Sequence, residues 1–212
     1  MFFNKLFEGA RKKTLGDITP TSGEIFIDNV EVTNLSTHAR SALVARVFQD
    51  PMIGTFADLT LEENMSVAGK RGAARGLSPA LNKDLRIIFE THLRELEIDL
   101  ENRLKDKASS LSGGQRQALS LVMATLQESK ILLLDEHTSA LDPKIGHIIM
   151  NLTGKIIKNQ RLTALMITHS MTQALDYGNR TIMMYHGEIV RDMIGGERTS
   201  LTPSDLIKYF DL

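Results

Sequence analysis

The chain contains no cysteine, which excludes disulfides and thiolate metal sites and fits a reducing compartment. No apolar run approaches the roughly 20 residues needed to cross a bilayer. The opening Met1-Phe2-Phe3-Asn4-Lys5-Leu6-Phe7 is too short for a signal-peptide core and soon meets charge. Charge of one sign is lacking as well. Twenty-five Lys and Arg stand against 26 Asp and Glu, a net charge of −1. Nothing therefore points to nonspecific nucleic-acid binding or to an electrostatic membrane anchor. Internal repeats and low-complexity tracts are absent, and His38, His92, His147 and His186 show no metal-ligand spacing. These absences describe a soluble, cytoplasmic protein. What remains is an ordinary globular balance, 42% hydrophobic and 24% charged, over 212 residues. That length suffices for one large domain or two lobes with a sizeable core.

Two stretches carry the chemistry. The first is Leu111-Ser112-Gly113-Gly114-Gln115-Arg116-Gln117, which reads as a loop turning into a helix with an apolar stripe. Backbone N–H groups and the positive end of the helix dipole face outward there, and glycines let a phosphate approach closely. The second is Ile131-Leu132-Leu133-Leu134-Asp135-Glu136, a short buried strand ending in two acids. The acids emerge at the carboxyl end, where open α/β sheets place their ligands. A metal-ligating carboxylate beside a water-orienting one is what nucleotide hydrolysis requires.

Around these stretches the pattern alternates. Glu24–Asp28 and Val30–Val32 read as a hairpin turning at Asp28-Asn29. Ser36 or Thr37 caps a short helix over 38–44, and 45–48 reads as a strand delivering Gln49-Asp50-Pro51 to a loop. Thr60-Leu61-Glu62-Glu63 has the form of a capping box, opening a helix to about Ala68. Lys70–Gly76 reads as a solvated basic connection. Ser78-Pro79 starts a longer helix that places Leu85, Ile88, Phe89, Leu93 and Leu96 on one core face. Beyond residue 129 come a helix over 143–159, a second buried strand at 163–168 closing on His169, a helix over 170–177, strands 180–185 and 188–191, and a helix from Thr202-Pro203. Alternation of this kind predicts an α/β fold built on a mostly parallel sheet flanked by helices.

Leu-Ser-Gly-Gly-Gln followed by an apolar strand ending Asp-Glu resembles the ATP-binding cassette (ABC) ATPases, and the resemblance covers about 17–212. It implies a P-loop-NTPase-like fold: a RecA-like core over 17–51 and 129–212, a reduced N-terminal antiparallel part, and a helical lobe over 52–128 carrying the signature motif. It implies ATP and Mg²⁺ as cofactors. Ser112, Gly113, Gly114, Gln115 and Asp142 would then bind nucleotide, Asp135 and Gln49 would serve Mg²⁺, and Glu136 would orient the attacking water. His169 would read the γ-phosphate, and Ser139–Asp142 would be the loop where two cassettes touch. His137 receives no role. The implied partners are a second cassette, the same or different, and an integral membrane permease, with no nucleic acid; the location is the inner face of the cell membrane.

One family element is missing from the sequence. No Gly-x-x-Gly-x-Gly-Lys-Ser/Thr loop precedes Pro20-Thr21-Ser22-Gly23. The nearest stretch, Gly9-Ala10-Arg11-Lys12-Lys13-Thr14, puts arginine at a glycine position and lysine where a metal-binding hydroxyl belongs. Gly16-Asp17 cuts the following helix short, so 1–16 reads as an irregular replacement terminus. The leading expectation is the ATP-hydrolysing subunit of a small-solute ABC importer. The alternative is a non-catalytic half-site or regulatory cassette, or a truncated inactive product, whose signature motif serves an intact partner. Soluble ABC ATPases of DNA repair or translation carry a coiled coil or tandem cassettes, neither of which is visible.

Overall fold

The computed structural model describes residues 12–72 and 79–209. It divides into two units, one of residues 20–166 and one of 1–19 with 167–212.

The larger unit opens on a hairpin, β1 (Phe26–Ile27) and β2 (Val30–Glu31), paired Phe26↔Glu31 and Ile27↔Val30. Asp28 and Asn29 both take left-handed φ, 53° and 62°, as a two-residue type I′ turn demands. The helix expected over 38–44 is only Thr37–Arg40, with Ser36 Oγ accepting from Ala39 N. It ends early because Arg40 folds back, donating from Nε to Leu35 O and from Nη2 to Thr33 O. β3 (Val44–Val47) then pairs in parallel with β4 (Ile131–Asp135), Val44↔Ile131 through Val47↔Leu134. β5 (Thr163–Ile167) completes the order β3-β4-β5. It was expected to be buried, but Thr163, Ala164 and Leu165 are exposed and only Ile167 is buried. The apolar run is genuine; the strand stands at the end of this three-stranded order, where neighbours cover only part of it.

The helix Gly113–Thr125 is the centre of this unit. Every residue from Arg116 to Thr125 is buried, so the expected stripe is in fact burial all round, the mark of a core helix. It packs against β3, the helix Leu61–Ala68 and the helix Pro143–Gln160. Two of its buried polar residues donate to backbone, Gln117 Nε2 to Phe48 O at 3.1 Å and Arg116 Nη2 to Ala108 O at 2.8 Å, while Gln117 Oε1 is buried with no partner. The Thr60–Glu63 capping box forms as expected.

Two expectations need correction here. The long helix is Lys83–Arg94, capped by Asn82 Oδ1 accepting from Leu85 N at 2.8 Å; Pro79 lies outside it and Ser78 outside the described residues. Phe89, Leu93 and Leu96 are buried, but Ile88 is 47% exposed. The 85–89–93 line follows the four-residue step, and Ile88 falls off its edge. Lys70–Gly76 is not simply solvated. Arg71 donates from Nη1 to Ser41 O and Val44 O, and from Nη2 to Ala124 O and Gln127 O, at 2.9–3.2 Å. Burial pushes its guanidinium below the usual arginine range. Residues 73–76 lie outside the described residues.

In the smaller unit, residues 12–15 make a helical turn closed by Gly16 at φ 85°, with Asp17 N donating to Lys12 O at 2.8 Å. The rest of the irregular start expected there lies outside the described residues. β6 (Arg180–Tyr185) and β7 (Glu188–Ile194) form an antiparallel hairpin through left-handed His186 and Gly187. Met183, Met193 and Leu206 form its core. Among the described residues, no helix is long and apolar enough to cross a membrane.

Candidate functional site

The tip of the Gly113–Thr125 helix is built by sequence-local chemistry. Ser112 Oγ accepts from Gln115 N at 3.3 Å, and Gln115 Oε1 accepts from Ser112 N at 3.2 Å. This capping box satisfies one of the first helical donors and leaves the Gly113 and Gly114 amides outside it. Ser112 and Gly113 are exposed while the helix body is buried. The positive end of a thirteen-residue dipole therefore faces outward from a rigid mount, an arrangement suited to a phosphate. Gly114 has a second reason to be glycine. A β-carbon there would run into Ile145 Cγ2, whereas one on Gly113 would only touch Leu141 Cδ2, at 3.7 Å. The tip thus rests on the start of the helix Pro143–Gln160. Asp142 caps that helix, Oδ1 accepting from Ile145 N at 3.1 Å, so this predicted nucleotide residue also organises the tip's neighbour.

β4 delivers the acid pair as expected. Asp135 is buried, and Glu136 follows at φ 45°, a left-handed conformation that costs a non-glycine residue about 1–2 kcal/mol. Such strain is concentrated at functional turns. Gln49, just past β3, donates from Nε2 to Ser139 Oγ at 3.2 Å, and Ser139 Oγ donates to Glu136 O at 2.8 Å. The structure thereby joins the Gln49 loop, the turn after the acids and Ser139 into one chain of hydrogen bonds.

Sequence reasoning passed over Arg46. Its Nη2 donates to Asp135 Oδ2 at 2.8 Å, with the side chains 19% and 10% exposed. The guanidinium also lies 4.2 Å from the Phe48 ring centroid, within cation–π range. Its Nε is buried with no hydrogen-bond partner, so the group is held by this ion pair and the ring face rather than by a full fork. A cation in the middle of an apolar strand, in register beside the strand that ends in acids, was the available signal.

This bears on Mg²⁺. A magnesium site wants near-octahedral oxygen ligands from one or two carboxylates and phosphates. Of the two residues assigned to the ion, Asp135 has its Oδ2 held by Arg46, while Gln49 is anchored to Ser139 through Nε2 rather than through its oxygen. Among the described residues, no group of three or more His, Cys, Asp or Glu is arranged to hold a metal. As placed, the carboxylate of the donor set faces a guanidinium instead of standing open to the ion, and this departs from what the resemblance implies.

His137, given no role, is buried, with Nε2 and Thr153 Oγ1 3.1 Å apart. Burial pushes its pKa down to about 4. His169 lies in the smaller unit. It is exposed and comes just before Ser170, which caps the helix Met171–Asp176.

Comparison with known proteins gives a consistent answer. Residues 12–139 match the family model described as ABC transporter. The tyrosine transport ATP-binding protein of Clostridioides difficile (strain R20291) is 41% identical over 208 residues, covering 96% of this chain and 82% of that protein. The methionine import ATP-binding protein MetN of Streptococcus agalactiae serotype III (strain NEM316) is 33% identical over 219 residues, covering 95% of this chain and 58% of that protein. Among solved structures, the ATP-binding cassette MJ0796, dimeric and bound to ADP and Pi, aligns with a TM-score of 0.72 at 28% identity, covering 89% of this chain and 80% of that one.

Proposed function

Since this chain belongs to the ABC transporter family, we propose that it is the ATP-binding subunit of a small-solute importer, paired with a second cassette and coupled to an integral membrane permease at the inner face of the membrane. Relatives named for tyrosine transport and methionine import support a small-solute importer, amino acids included. The observation that carries the reading is the capped tip, exposed at Ser112 and Gly113, of a helix that is buried from Arg116 to Thr125. In this reading the helical lobe 52–128 presents Ser112, Gly113, Gly114 and Gln115 to a nucleotide, with Asp142 beside them. Glu136 orients the attacking water, His169 reads the terminal phosphate, and Gln49 relays the state of the site to the permease.

A second reading is favoured by Arg46 on Asp135. The chain then lends its tip to an intact cassette and hydrolyses nothing by itself. ATP turnover of the purified chain, alone and mixed with a complete cassette, separates the two. Turnover by the chain alone supports a complete motor. Silence alone with stimulation in the mixture, abolished by Ser112→Arg, supports the half-site. No nucleotide binding in either state would sink both.

A further inference from the structure

We propose that Arg46 is a built-in counter-cation for Asp135, which keeps this chain's own acid pair off divalent metal. The inference rests on the reading of Asp135 and Glu136 as the nucleotide-side acids.

The geometry follows from strand register. β3 and β4 run parallel with Arg46 opposite Leu133. Residues opposite one another in parallel strands share a face, and so do residues two apart along each strand. Arg46, Leu133, Asp135 and Phe48, just past β3, therefore lie on one side of the sheet. From its position the arginine side chain reaches along the strand direction, across the Phe48 ring, to Asp135. Burial then makes the contact hard to exchange. With 10% of the Asp135 side chain and 19% of that of Arg46 exposed, water screens the pair weakly, and removing one partner strands the other charge. A divalent ion on Asp135 would meet a guanidinium already in hydrogen-bonding contact with the same carboxylate. Binding the ion would mean expelling Arg46 or seating two like charges together. Gln49, the other residue assigned to the ion, is anchored to Ser139 through Nε2, a bond that leaves its Oε1 unengaged, so the obstacle to the ion is Arg46 on Asp135.

The pairing differs from a structural salt bridge in what it controls. It joins the strand that feeds the Gln49 loop to the strand that feeds Glu136, at the carboxyl ends where the reacting groups would meet. An arginine here supplies fixed positive charge where the ion's charge would otherwise sit.

The test is a Mn²⁺ titration of the full chain, followed by the loss of the free-ion electron paramagnetic resonance signal. Arg46→Met, Arg46→Gln, Asp135→Asn and the double variant Arg46→Met/Asp135→Asn are titrated alongside, with circular dichroism to establish folding. Wild type is expected to bind Mn²⁺ no better than Asp135→Asn. A folded Arg46 variant, Met or Gln, is expected to bind at least tenfold more tightly, and the double variant is expected to lose that gain. Wild-type binding that Asp135→Asn abolishes would overturn the proposal. So would folded Arg46 variants that bind no better than wild type, or failure of both to fold, which would make the pair structural. None of these results bears on whether the chain stimulates a complete cassette, so the half-site reading stands or falls separately.

Discussion

Gly114 and Ile145 meet so closely that no β-carbon fits between them. The helix Gly113–Thr125 therefore leans on the first turn of the helix Pro143–Gln160 through a bare backbone. The neighbouring Gly113 has room for a methyl group beside Leu141. Gly114→Ala is expected to destabilise the protein by about 1–3 kcal/mol, the usual cost of overpacking. Gly113→Ala should be neutral, or stabilising by a few tenths up to about 1 kcal/mol, because alanine favours helix. Urea denaturation of the two variants checks the contrast. Equal effects would mean that Ile145 yields and the contact does not position the tip.

His137 predicts a pH dependence with a definite sign. Its folded-state pKa is pushed down to about 4, against an ordinary value of 6.5. Above pH 6.5 both folded and unfolded chains hold it neutral, so its contribution is complete there. Between 6.5 and about 4 the unfolded chain takes up the proton first, and stability falls as pH falls. The gap is worth on the order of 3 kcal/mol. His137→Gln, which keeps a hydrogen-bonding group for Thr153, should flatten that part of the curve relative to wild type. Denaturation midpoints between pH 7 and 4 read it directly, and parallel curves would refute the assignment.

Arg71 holds four carbonyls drawn from two places: Ser41 and Val44 leading into β3, and Ala124 and Gln127 around the end of the helix Gly113–Thr125. Lysine carries the charge but lacks the fork of donors. Arg71→Ala is expected to cost about 2–4 kcal/mol, from lost charged hydrogen bonds and poorly satisfied carbonyls. Arg71→Lys should recover only part of this. Thermal unfolding of both variants tests it, and full recovery by lysine would show that charge alone suffices.

Much of the fold was legible because its signals are short-range. Side-chain caps at Ser36, Thr60, Ser112 and Asp142 each reach a backbone N–H three residues on, a spacing written in the sequence. The turn at Asp28-Asn29 and the strand Ile131–Asp135 declare themselves the same way. Asp135 closes β4 with Glu136 just past it, and the glycine pair opens the helix Gly113–Thr125. Helix boundaries fared worse. Arg40 and Asn82 redirected them through contacts that periodicity does not describe.

By itself, then, the sequence determined the elements, their order, the candidate residues and the family. Only the tertiary structure decided what those residues touch. Arg46 and Asp135 lie 89 positions apart, and the Arg71 bonds span 27 to 56. Whether a strand's arginine meets solvent or a buried carboxylate depends on register and packing between elements. A cap needs only its own turn, but an ion pair between strands needs the whole sheet.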